Sequence, residues 1–228
     1  MINKIKKKMS NLFRNVISIF DINKNLNNKI NKIYRILVET RTALGLAKKY
    51  GIYDLLVHKE ISERVKNSNN PLNKNKFNGF SQNQEDGITL EILRRMGIKN
   101  GFFTEFGVGN GLENNTIILL AAGWKGAWFG AQNLAFDTTN STKLSFKKEW
   151  ITKDNIFNLY SELNKSADVI SLDLDGNDIY LIEALLNNNV SPKLFIIEYN
   201  AKFPPSIDFK IDYDKDFIIG YGEDYYGA

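Results

Sequence analysis

The sequence contains no cysteine and a single histidine, His58. The first absence excludes disulfides, thiolate metal sites and a cysteine nucleophile. The second leaves almost no room for a Ser-His-Asp relay or a histidine-ligated metal. No apolar run reaches the roughly 20 residues of a membrane-spanning helix. Met1 to Phe20 is basic and then apolar, like a secretory leader, but Arg14 and Asn15 break its apolar part and no small-residue cleavage site follows. The expected location is therefore cytoplasmic. The net charge of +4 sits largely in the Lys/Asn-rich N-terminal third. The rest shows no basic or aromatic stripe, so no nucleic-acid partner is expected. With 228 residues, 43% of them hydrophobic, the chain can bury the core of one α/β domain and carry an extension besides.

Neither proline nor glycine interrupts the chain before Gly45. Across residues 2 to 47, Ile2, Met9, Val16, Asn23, Ile30, Leu37 and Leu44 recur every seventh position. Ile5, Leu12, Ile19, Leu26, Ile33 and Thr40 fill a second seam. Such spacing puts one apolar stripe on a helix, with Asn23 as a polar seam residue that can fix register. Two readings stand open: a coiled coil that makes a homodimer, or an amphipathic helix packed on the chain's own domain. A second helical stretch runs from Tyr50 to Val65. Asn67 to Gly79 is polar, contains proline and lacks apolar period, as a linker does. The expected organisation is 1–66 helical, 67–79 linker and 80–228 the main domain.

In that domain strand-like and helix-like runs alternate. Ser81 to Asp86 reads as a capped helix start. A first strand is expected to end at Glu105, and others at Trp124–Gly130, Glu149–Thr152, Asp168–Asp173 and Leu194–Glu198, with helices over Ile117–Ala122, Asp154–Leu163 and Ile179–Leu186. The alternation predicts an α/β fold, a Rossmann-like, doubly wound and mostly parallel sheet.

The stretch Gly101 to Thr116 is the centre of this pattern: a buried strand, a turn with Gly107, Gly109 and Gly111, and a helix start. Strand, glycine turn and helix N-terminus together form the usual ligand crevice of such a sheet. Carboxylates gather at the same strand ends. The first strand carries Glu105; the fourth runs into Asp173, Asp175, Asn177 and Asp178; the fifth ends in Glu198, Tyr199 and Asn200. Asn177 and Asp178 are also natural helix-cap residues. Glu198 ends an apolar strand, where a carboxylate is costly to bury without a partner. Converging carboxylates suit a cationic ligand, a metal ion or deprotonation of a substrate. A nicotinamide dinucleotide fits poorly: the spacing is Gly107-x-Gly109-x-Gly111, Glu105 stands near the pyrophosphate position, and the second strand ends in Gly130-Ala131-Gln132-Asn133 with no acid for the ribose.

Glu105-Phe106-Gly107-Val108-Gly109-Asn110-Gly111 resembles motif I of class I S-adenosylmethionine-dependent methyltransferases. Together with Ser81-Gln82-x-x-Glu85-Asp86, Gly123-Trp124-Lys125-Gly126 and Asp173-x-Asp175-Gly176-Asn177-Asp178, it resembles the FkbM-like branch, many of whose members methylate sugar hydroxyls. The resemblance runs from about Phe80 to the C-terminus. It implies S-adenosylmethionine as cofactor, with Glu105 at the methionine amine, Gly107 and Gly109 along the adenosyl pocket, and Gln132 where the family often has an acid for the ribose diol. Gln82, Asp86 and Asn115 join the implied cofactor set. Asp173 and Asp175 would lie beside the methyl group, and Glu198 and Asn200 would face the acceptor. Asp175 or Glu198 would serve as general base; alternatively these carboxylates would hold a divalent cation such as Mg²⁺ or Ca²⁺ that acidifies the acceptor.

The implied acceptor is a small molecule or a sugar hydroxyl in surface polysaccharide or capsule synthesis. Class I methyltransferases continue past the fifth strand with a helix and a strand pair, so the resemblance also implies that this pair is missing and the domain truncated. Two alternatives to methyl transfer stay open: another nucleotide-binding enzyme on a Rossmann-like fold, or a catalytically inactive assembly module.

Overall fold

The structure is a computed structural model that describes residue 59, residues 61–200, residue 203 and residues 207–218. The heptad segment, most of the second helical stretch and the expected dimer contact lie outside the described residues. The chain divides into two compact units, Met1–Lys59 and Glu60–Ala228, and the sheet belongs to the second. Helix 61–67 and a 3-10 turn, Pro71–Asn75, precede the sheet. The stretch expected as a linker is tied to the start of the main domain: the Phe77 amide donates to the Gln84 carbonyl, and the Gly87 amide to the Phe77 carbonyl.

Among the described residues, five strands and four helices follow: α1 (Glu85–Arg95), β1 (Phe102–Phe106), α2 (Ile117–Ala121), β2 (Lys125–Gly130), β3 (Leu144–Lys148), α3 (Ile156–Ser161), β4 (Val169–Leu172), α4 (Asp178–Asn187) and β5 (Leu194–Ile197). Every strand pair is parallel and the order is β3-β2-β1-β4-β5. The fold is α/β and Rossmann-like. The order reverses between β1 and β4, where a doubly wound sheet opens a crevice at its carboxyl edge.

Side chains alternate across the sheet as the pleat requires. Phe106, Phe129, Ile170 and Leu172 face α3 and α4 and pack with Ile156, Leu159, Leu181 and Leu185. Phe103, Trp128 and Val169 face the other way and pack with Leu93 of α1 and Leu119 of α2. The Phe106 and Phe129 rings stack at 4.9 Å between adjacent strands. Burying a large apolar side chain stabilises a fold by roughly 1.5–3 kcal/mol, so these two layers fix the sheet and, with it, the strand ends.

One strand differs from expectation. The third, expected at Glu149–Thr152, lies at Leu144–Lys148. It is the sheet's edge: of its five residues only Leu144 is buried, while Lys147 and Lys148 face solvent. Its apolar signal is therefore two residues, Leu144 and Phe146, which pack on the α1–α2 layer. The aromatic and β-branched run Trp150-Ile151-Thr152 that imitates a strand is the loop leaving it.

Candidate functional site

The turn after β1 has three glycines with three different reasons to be glycine. Gly107 stands at φ +94°, and a Cβ there would lie 1.9 Å from the Asp173 carbonyl oxygen, so the ends of β1 and β4 approach only without a side chain. Gly111, at φ +81°, would drive a Cβ into Leu134 and Trp128. Gly109, at φ +52°, faces open space. Its surroundings leave room for a ligand rather than for packing.

That space is a crevice of about 380 Å³ at the carboxyl edge of the sheet. Gly107 and Gly109 line it after β1, Gly130, Ala131 and Gln132 after β2, and Trp150 and Ile151 after β3. Asp173, Leu174, Asp175 and Asn177 line it after β4, and Phe217 and Ile218 come from the last described segment. One part of the wall is aromatic and aliphatic; another is acidic. Of the residues singled out in the sequence, Gly107, Gly109, Gln132, Asp173, Asp175 and Asn177 meet here; Glu198 and Asn200 do not line the crevice.

Glu105 does not line the crevice. It is odd-numbered like Phe103, so the pleat turns it toward α2, where it is 1% exposed. One carboxylate oxygen accepts the Asn115 amide at 3.0 Å and the Ser171 hydroxyl at 3.4 Å. The other accepts the Thr116 amide at 3.1 Å and the Thr116 hydroxyl. Trp128 Nε1 donates to that hydroxyl at 2.8 Å, which directs the hydroxyl proton to Glu105. Burial pushes the Glu105 carboxyl up, and the bonds from Thr116 and the Asn115 amide pull against it. Glu105 thus ties the β1 turn to the start of α2.

Asn115 shares this network through its amide side chain, 3.3 Å from Ser171 Oγ. Asp86 is fully buried, and one carboxylate oxygen gathers the amides of Gly79, Phe80 and Ser81 at 2.6–3.0 Å, clamping the loop before α1. Gln82 is exposed and donates to Glu113 at 3.2 Å.

The acidic wall is built by the β4–α4 loop, and Glu198 after β5 lies beside it, outside the crevice lining. Asp178 caps the loop: it is fully buried and accepts the Leu174 and Gly176 amides at 3.0 and 3.1 Å. Asp175 holds the left-handed conformation, φ +58°, which Asp tolerates better than most residues. Asp173, Asp175 and Glu198 each offer a carboxylate oxygen within 4.8 Å of the others. Glu198 is half-buried, and its Oε2 has no hydrogen-bond partner. Asn200 is buried just beyond it.

No ion pair among the described residues reaches these carboxylates. Burial, followed by the charges of Asp178, Asp175 and Glu105, raises Asp173 to about 7. Burial and then the charges of Asp173, Asp178 and Asp175 raise Glu198 to about 8. Burial and like charge thus raise both carboxyls of this pair. Burial also raises Asp175 and Asp178. The cluster can accept a proton near neutrality, hold a divalent cation, or meet a cationic ligand.

No protein-family model and no curated protein matches the chain. Among solved structures, a short chain dehydrogenase family protein from Francisella tularensis subsp. tularensis SCHU S4 is similar over 39% of this chain and 46% of its own, at 19% identity and a TM-score of 0.29. The chain thus matches less than half of that protein's length. The Rossmann-like assignment stands on the parallel order β3-β2-β1-β4-β5.

Sequence reasoning missed the aromatic side of the crevice. Trp150 falls within the expected third strand, and Phe217 comes from a segment with no strand or helix signal. The usable clue at Trp150 is its place just after the edge strand, where doubly wound sheets put ligand contacts.

Proposed function

We propose that the chain is an S-adenosylmethionine-dependent methyltransferase acting on a hydroxyl of a sugar or other small molecule. The observation that carries the reading is the two-sided crevice: an apolar wall of Trp150, Ile151 and Phe217, and an acidic wall of Asp173 and Asp175 without a compensating cation among the described residues. This suits a ligand with a flat neutral ring and a positive charge. It disfavours a pyrophosphate, which the carboxylates would repel. When bound, S-adenosylmethionine supplies a methyl carbon that the acceptor oxygen takes, while the carbon–sulfur electron pair returns to sulfur and the hydroxyl proton leaves.

In this reading Gly107 and Gly109 let the adenosyl backbone approach the β1 turn, and Gln132 hydrogen-bonds the ribose diol. Asp173 and Asp175 face the cationic end. Glu105 acts through the turn it holds and through its charge, which Asp173 feels. Asp175 or Glu198, each raised by burial, receives the acceptor's proton when in its ionised form. The oxygens of Asp173, Asp175 and Glu198, with Glu198 Oε2 unpartnered, also fit a divalent cation. Mg²⁺ or Ca²⁺ there would acidify the same hydroxyl. The chain's main contribution is alignment and exclusion of water.

Calorimetric titration with S-adenosylmethionine, S-adenosylhomocysteine and NAD tests the reading. The two adenosyl amino acids are expected to bind and NAD not to. Binding of NAD alone would make the chain a dinucleotide-dependent enzyme, and binding of none would favour an assembly module. EDTA separates the two versions of acceptor activation: activity that survives it belongs to the general base.

A further inference from the structure

We propose that residues 211–218 form a strap whose seating is coupled to ligand binding, with Phe217 and Ile218 closing the crevice over a flat ring laid against Trp150. The inference rests on the adenosyl reading above and adds to it a moving wall.

The strap has no helix or strand, and none of its residues is fully buried. It is held by side-chain bonds to the two loops that build the crevice. From the loop after β3, Trp150 Nε1 donates to the Lys215 carbonyl at 2.8 Å, and the Lys153 amide donates to the Tyr213 hydroxyl at 3.1 Å. From the β4–α4 side, Asn177 Nδ2 donates to the Asp214 carbonyl at 2.7 Å, and the Tyr180 hydroxyl donates to the Ile211 carbonyl at 2.6 Å. Gly176 leaves the space that the Phe217 ring and Ile211 occupy, since a Cβ there would stand 2.8 and 2.9 Å from them.

Two of these tethers, Trp150 and Asn177, are themselves crevice-lining residues. A segment fastened by a few partly exposed hydrogen bonds and by the Tyr213 and Phe217 rings, with no residue fully buried, belongs to the low-stability end of a fold and opens without global unfolding. A ligand that packs on Trp150 and Phe217 together gains those contacts only when the strap is seated. It therefore shifts the strap toward the seated state, and loosening the strap must weaken the ligand by the same factor.

The test uses the full chain, S-adenosylhomocysteine and three readouts: affinity by calorimetry, amide exchange of 211–218, and tryptophan emission. Of the three tryptophans, Trp124 and Trp128 are buried and Trp150 is 42% exposed, so an emission change on binding reports Trp150. Tyr180→Phe removes one tether without touching the crevice lining, and Phe217→Ala removes the wall. The ligand is expected to slow exchange across the strap and shift Trp150 emission.

Tyr180→Phe is expected to weaken binding about fivefold, the worth of one hydrogen bond, and Phe217→Ala about tenfold or more. The effects should be less than additive, because without the ring the ligand no longer depends on seating. If wild type and both variants bind alike, or the ligand leaves strap exchange unchanged, the strap proposal fails while the cofactor reading stands. If no adenosyl ligand binds the wild type, the cofactor reading fails and the strap proposal with it. Urea midpoints close to wild type in both variants confirm that lost affinity is not lost folding.

Discussion

Glu105→Gln separates a structural carboxylate from a ligand-binding one. Glu105 is surrounded by donors: the Asn115 and Thr116 amides and the Thr116 and Ser171 hydroxyls. A carboxylate accepts all of them; a carboxamide must turn an NH₂ group toward one side. Facing Thr116, the amide would meet two donors, one of them committed by Trp128. The cheaper orientation faces Asn115 and Ser171, whose hydroxyl can rotate to accept, so the loss is the Asn115 amide bond and the clash of two donors. A buried hydrogen bond to a charged group is worth about 1.5–3 kcal/mol, and an orphaned donor costs about 1–3 kcal/mol.

Removing the buried charge offsets part of that. The net destabilisation expected is about 2–4 kcal/mol, which with an ordinary urea slope lowers the midpoint by roughly 1–2 M. Urea titration followed by circular dichroism measures it. Affinity for S-adenosylhomocysteine in the folded fraction should change less than about threefold, since Glu105 is outside the crevice lining. An unchanged midpoint with affinity lost more than about tenfold would refute the reasoning and put Glu105 on the ligand.

The same geometry carries four further expectations. Gly107→Ala is expected to abolish stable folding, because its Cβ meets the Asp173 carbonyl at 1.9 Å. Gly109→Ala faces open space and should cost only about 1 kcal/mol of stability from its positive φ, while weakening an adenosyl ligand that needs the bare backbone. Both appear in paired urea and calorimetric titrations. Asp173 and Glu198 bind their protons more tightly folded than unfolded. The stability they add is therefore complete below their ordinary carboxylate range, near pH 4, and is lost as pH rises through about 7 and 8. Thermal melts from pH 5 to 9 should show a falling midpoint that Asp173→Asn flattens; a rising midpoint across that range would contradict the assignment. Asp175→Asn combined with Glu198→Gln should remove methyl transfer while leaving S-adenosylhomocysteine within about tenfold of its wild-type affinity; transfer surviving both changes would exclude the base and the cation alike.

The central strands were legible because β1, β2 and β4 are buried on both faces and read as continuous apolar runs. β3 was displaced because an edge strand needs apolar side chains on one face only, and Trp150-Ile151-Thr152 nearby carried the stronger β signal. Within the site, the glycines and Asp173 and Asp175 were visible because backbone turns and strand-end acids are local. The direction of Glu105 was not: it depends on pleat parity and on Thr116, Ser171 and Trp128 arriving from three other segments. Phe217 was invisible for the same reason, since it reaches Gly176 only through the strap's tethers to Trp150 and Asn177.

A crystal structure of the full chain with S-adenosylhomocysteine tests the central claim most directly. The account predicts adenine against Trp150 under Phe217, the ribose near Gln132 and the ammonium end at Asp173 and Asp175. A ligand seated outside this crevice, or turned so that its base meets the carboxylates, would contradict it.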